Sequence, residues 1–128
     1  LQAIVSLRAA GYNQAVLRAW FNEPSGWMAQ RVSEHQGIRD ELLVIFAGAG
    51  FPTRRPQAGS YVFPTLPSLR VAPLDFIQLL RQQANVIVTL GTEFGPHPHS
   101  IRLNFSQDRD VALNAARRIV AMVERYRV

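Results

Sequence analysis

Ser100-Ile101-Arg102-Leu103-Asn104-Phe105 alternates polar and apolar residues one by one. Successive side chains of a strand point to opposite faces. Ile101, Leu103 and Phe105 therefore share one face, which belongs in a core, and Ser100, Arg102 and Asn104 share the other. Working backwards, Asn85 to Leu90 is a β-branched run that reads as a second strand, with the glycine-flanked loop Gly91-Thr92-Glu93-Phe94-Gly95-Pro96 between the two. Pro73 to Ala84 reads as a helix, with Pro73 in its first turn and Phe76, Ile77, Leu80 and Ala84 as its apolar stripe. Earlier still, Phe51 to Arg55 and Ser60 to Phe63 read as short extended pieces joined by the turn Pro56-Gln57-Ala58-Gly59.

Two helices precede these pieces. One spans Asn13 to Phe21, with Asn13 as its cap. After the break Asn22-Glu23-Pro24-Ser25-Gly26, a long one runs from Trp27 to Ala47. Its stripe is Met28, Val32, Ile38, Leu42, Ile45 and Phe46, and Gly48 and Gly50 end it. Forwards from the opening strand, Ser106 is placed to cap a last helix whose stripe is Ala112, Ala115, Ile119, Met122 and Tyr126. Asp108 and Asp110 sit at its positive end. The order predicts an α+β fold: a small, mostly antiparallel sheet of three to four strands, layered with helices.

The chain has 128 residues, enough for one modest core. It has no cysteine, which excludes disulfides and thiolate metal sites and suits a cytoplasmic protein. No apolar run reaches the ~20 residues needed to cross a bilayer, so no membrane partner is expected. The start, Leu1-Gln2-Ala3-Ile4-Val5, lacks an initiator Met and a signal-peptide pattern, and reads as a chain cut from something longer. The net charge is +5, and all 14 basic residues are arginine. They are scattered from Arg8 to Arg127, and the densest group, Arg117, Arg118, Arg125 and Arg127, sits where it offsets the last helix's dipole. That spread argues against a nucleic-acid partner. The absence of lysine excludes Schiff-base chemistry by a side chain of this chain.

Arg102 is the first candidate for chemistry. A guanidinium held mid-strand presents a planar fork that matches a carboxylate in two parallel hydrogen bonds. An ordinary surface arginine on a half-exposed sheet fits the pattern as well. The Gly91–Gly95 loop suits a phosphate nest, but lacks dinucleotide-loop spacing and a following helix, so a sharp structural turn fits better. His97-Pro98-His99 is a poor metal set without a third ligand nearby, and no metal is expected. His35 reads as a surface or interface residue. Ser60 and Ser100 lack a triad pattern, and no residue here is assigned as catalytic.

Taken in order, several segments resemble the C-terminal small domain of class I/II, fold-type-I aminotransferases, which depend on pyridoxal phosphate. They are Arg39-Asp40-Glu41-Leu42-Leu43, Pro56-Gln57-Ala58-Gly59-Ser60-Tyr61-Val62-Phe63, Asp75-Phe76, Val86-Ile87-Val88, Gly91-Thr92-Glu93-Phe94-Gly95 and Ser100-Ile101-Arg102-Leu103-Asn104-Phe105-Ser106. The resemblance spans residues 13 to 128. The one departure is at Val88-Thr89-Leu90-Gly91, where the family often has proline before glycine. The resemblance implies that Arg102 clamps the α-carboxylate of an amino-acid substrate, and that Phe94 and Gly95 lie at the active-site mouth. It implies a junction segment over 1–22 and the small domain over 23–128. Pyridoxal phosphate would be held by a large domain that this chain lacks. The implied partners are that domain, amino-acid and 2-oxo-acid substrates, and a second copy in a homodimer. Trp20, Phe21 and Leu1 to Val5 are expected to face the large domain or the second copy. Within the resemblance the alternative is a lyase of the same fold. Outside it, the alternative is a free-standing basic module that binds anions or nucleic acid.

Overall fold

The computed structural model describes residues 11–20 and 22–128. Leu1 to Val5, Phe21 and the side chain of Trp20 lie outside the described residues, and so does the expectation that they face a partner. The chain divides into two units, Leu1–Val32 and Ser33–Val128.

The first unit holds helix α1, Gly11–Trp20. Asn13 sits inside it and not at its cap. Asn22 donates its side-chain amide to the Arg18 carbonyl at 3.3 Å. Gly26, at φ +85°, turns the chain into helix α2, Trp27–Gly48, where Arg31 lies over the Trp27 ring at 5.4 Å.

In the second unit, α2 buries Ile38, Leu42 and Phe46, residues spaced by four along one face. Met28 and Val32, expected in the same stripe, are 45% and 48% exposed. Both precede Ser33 and belong to the first unit, and the buried core cluster takes its first residue of α2 at Ile38. The helix stops where Gly50 takes φ +74° and the Phe51 amide turns back to the Phe46 carbonyl at 2.8 Å. That return stacks the Phe46 and Phe51 rings, with centroids 6.1 Å apart.

Three strands follow: β1, Tyr61–Val62; β2, Thr89–Leu90; and β3, Ile101–Asn104. The sheet is antiparallel in the order β1-β3-β2. Tyr61 pairs with Asn104 and Val62 with Leu103 on one side, Thr89 with Arg102 and Leu90 with Ile101 on the other. The expected piece Phe51 to Arg55 contributes only a bridge between Thr53 and Pro64.

Helix α3, Pro73–Ala84, buries Phe76 and Leu80. The expected strand from Asn85 to Leu90 is mostly a connector. Asn85 takes the left-handed conformation (φ 51°, ψ 44°) and ends α3, a shape Asn tolerates better than most residues. Only Thr89 and Leu90 then reach the sheet. Helix α4, Arg109–Tyr126, is capped by Asp108, whose carboxylate accepts from the amides of Asp110 and Val111 at 2.9 and 3.4 Å. Ser106 is not the cap. Its hydroxyl meets His35 Nε2 at 3.3 Å, and its amide donates to Asn104 Oδ1 at 2.8 Å.

The core joins Ile38, Leu42 and Phe46 of α2, Val62, the odd residues of β3, Phe76 and Leu80 of α3, and one face of α4. Ile101, Leu103 and Phe105 are 1%, 4% and 1% exposed, so the expected face is buried. The motif Arg39-Asp40-Glu41 works outside this core. Arg109 at the start of α4 grips Glu41 of α2 through two bonds of 2.8 and 2.5 Å. Asp40 takes Arg39 at 2.8 Å and Arg55 at 3.0 Å. The adjoining Arg39 guanidinium, first by its hydrogen bond, holds the Asp40 carboxyl below its ordinary value.

Candidate functional site

Arg102 stands at the middle of the central strand, on the face opposite the core. The pairing of Tyr61 with Asn104 makes Tyr61 the diagonal neighbour of Arg102 on that face. The Arg102 guanidinium carbon lies over the Tyr61 ring, 4.5 Å from its centroid. It also lies over the Phe94 ring, at 4.1 Å. Among the described residues, no carboxylate forms an ion pair with Arg102. The result is a half-buried cation whose neighbours are aromatic.

Phe94 ends a short 3-10 turn, Gly91–Phe94, and Gly95 follows it at φ 133°. The turn is pinned to the base of β3, where the Gly91 amide donates to the Ser100 carbonyl at 2.7 Å. A side chain at Gly91 has no room, because a Cβ there would sit 2.3 Å from the His97 carbonyl oxygen and 2.8 Å from that of Ser100. The glycine thus lets the loop fold tightly against the strand and carry Phe94 over Arg102. Phe63, two residues after Tyr61, meets Phe94 edge-on at 6.0 Å and His97 at 5.6 Å.

The two polar neighbours expected beside Arg102 differ. Asn104 is exposed, but Ser100 is 5% exposed, with its hydroxyl 3.2 Å from that of Thr65. The bridge between Thr65 and Ser100 covers this end of the strand. Among the described residues, no three His, Asp or Glu side chains gather as a metal set. A cavity of about 270 Å³ lies between the Leu66–Pro73 segment and β3, lined by Leu66, Phe76, Leu90, Ile101 and others. Its lining does not include Arg102, Phe94 or Gly95. Sequence reasoning missed Tyr61. Its place beside Arg102 depends on cross-strand register, which the alternation of one strand does not encode.

The mixed helix-and-strand fold, with its small three-stranded antiparallel sheet, is that of an aminotransferase small domain. The sequence pattern of the aminotransferase class I and II family matches residues 3–119, and the chain belongs to that family. It is similar to an aspartate aminotransferase from Rhodobacter sphaeroides, with 63% identity and a TM-score of 0.92 over 99% of this chain. It spans 33% of that protein's chain. An aromatic aminotransferase from Pyrococcus horikoshii has the same fold at 21% identity and TM-score 0.69, over 80% of this chain and 28% of its own. So does a PLP-bound structure from Clostridium difficile, at 17% identity and TM-score 0.71, over 80% of this chain and 27% of its own. No curated protein matches. Among the described residues, no helix is long and apolar enough to cross a membrane.

Proposed function

We propose that this chain is the C-terminal small domain of a pyridoxal-phosphate-dependent aminotransferase, and that Arg102 holds the α-carboxylate of the amino-acid substrate. The observation that carries the reading is the guanidinium on a rigid central strand, set over two rings and paired with no carboxylate among the described residues. Two parallel N–H···O bonds from that fork would fix the carboxylate and, through it, the direction of the other bonds at Cα. Phe94 and Gly95, on the loop beside the fork, would line the mouth of the site.

The residues present do not fit pyridoxal phosphate as a resident group of this chain alone. There is no lysine in the sequence to form the cofactor's imine. In this reading the cofactor belongs to a large domain outside the chain, 1–22 is the junction to it, and 23–128 is the small domain. The homodimer, the 2-oxo-acid co-substrate and the cytoplasmic location come with the same reading and rest on the family resemblance.

The arginines favour this function over a basic binding module. Arg39, Arg55, Arg109 and Arg127 are engaged with carboxylates. Arg118 and Arg125 bond Ala84 and Gln83. The test is to supply the complete protein with pyridoxal phosphate, a 2-oxo acid and, first, aspartate, the amino acid in the name of the 63% identical relative. Formation of the amino acid that corresponds to the 2-oxo acid supports the reading. Ammonia or carbon dioxide release without amino transfer, across a panel of amino acids, makes it a lyase and overturns it.

A further inference from the structure

We infer that Tyr61 and Phe94 are positioning residues that aim the Arg102 fork, an inference that rests on the carboxylate-binding reading of Arg102. An arginine side chain carries several rotatable bonds, and a mobile fork spends little time in the one orientation that meets a carboxylate with both arms. Here two rings lie over the guanidinium, at 4.5 Å from Tyr61 and 4.1 Å from Phe94. Aromatic faces attract a planar cation and leave its edge free. A ligand is therefore met by the in-plane N–H groups and not by the flat face.

The two rings are themselves held from independent directions. Tyr61 comes from β1, at a position fixed by the pairing of Tyr61 with Asn104. Phe94 comes from the loop that Gly91 anchors to the Ser100 carbonyl at 2.7 Å, and Phe63 braces it edge-on at 6.0 Å. Both rings are 45% exposed, so neither side chain is placed by core packing alone. Aromatic side chains left half open above one cation account for their geometry through that cation. The arrangement also explains why a lysine would not substitute for Arg102, since an ammonium has neither the fork nor the flat face that the rings take up.

The experiment is a double-mutant cycle in the complete protein, with kcat and KM for the amino-acid substrate and Tm measured on each variant. Tyr61→Phe keeps the ring and should stay within about twofold of the parent in kcat/KM. Tyr61→Leu and Phe94→Leu should each lower kcat/KM about 3- to 10-fold, with kcat falling as well as KM rising, and with Tm nearly unchanged. In an Arg102→Ala background, Tyr61→Leu should cost less than about twofold, because a residue that acts through Arg102 has nothing left to aim. Additive losses in that background, or ring variants that match the parent while Arg102→Ala is impaired, would overturn the positioning role and leave the carboxylate reading standing. Full activity of Arg102→Ala would overturn both.

Discussion

The two faces of β3 divide labour. Ile101, Leu103 and Phe105 face the core and are almost wholly buried, so they hold the sheet to the helices. Arg102, one position away from two of them, faces two half-exposed rings and, among the described residues, pairs with no acid. On the proposed reading, one short strand serves both the core and the substrate. The period of two separates the tasks by 180°, and packing on the first face immobilises the backbone that presents the second. Changes on the core face should act on stability, and changes on the ring face on substrate use.

The largest effect should come from the core face. Phe105→Ala leaves a cavity where a fully buried ring stood, and should destabilise by about 3–5 kcal/mol. Thermal melting of the complete protein would show it as a fall in Tm, or as failure to accumulate folded protein. A Tm near the parent's would break the division of labour.

Gly91→Ala comes next, and it links the two faces. The added Cβ would stand 2.3 Å from the His97 carbonyl oxygen, so the loop must move, at a cost of about 1–3 kcal/mol by analogy with overpacked cores. Phe94 should move with it, so kcat/KM should fall more than the change in Tm explains. Unchanged kinetics would mean that the loop's path does not control the ring.

Smaller still is the clamp between Glu41 and Arg109. Both side chains are well exposed, so a double-mutant cycle on Tm should give only a small coupling that salt weakens further. The smallest effect belongs to Asp40. Its folded pKa lies below the ordinary value of 3.8, so its contribution is present above that value and fades as pH falls below it. Asp40→Asn should flatten the acid limb of a Tm-against-pH curve slightly, and leave the curve above pH 5 parallel to the parent's. A change confined to neutral pH would contradict that assignment.

Much of this was legible in the sequence where one local rule decides. The alternation of Ile101, Leu103 and Phe105 gave the buried face of β3. Pro73, which cannot donate in a helix interior, marks the start of α3 at the observed residue. The failures lie where rules compete. Asn85 to Leu90 has strand-forming side chains, yet the left-handed turn at Asn85 and an exposed Ile87 make half of it a connector. Ser106 and Asp108 are both good caps, but α4 begins at Arg109, so the cap position falls to Asp108 and Ser106, two residues earlier, meets His35 instead. Of the candidate site, Arg102 stands out from its own strand, and the family resemblance pointed to Phe94 and Gly95; Tyr61 meets Arg102 through cross-strand register, which is a tertiary fact.

The most direct measurement is kcat/KM for an amino-acid substrate, set beside Tm, for Arg102→Ala and Arg102→Lys in the complete protein. The expected result is a loss of about one to two orders of magnitude for Arg102→Ala. Lysine should rescue little of it, because a point charge cannot form the bidentate pair. Tm should stay close to the parent's, since the core face is untouched. Unchanged kcat/KM in both variants would contradict the carboxylate clamp, and a collapse of Tm would show that Arg102 serves the fold.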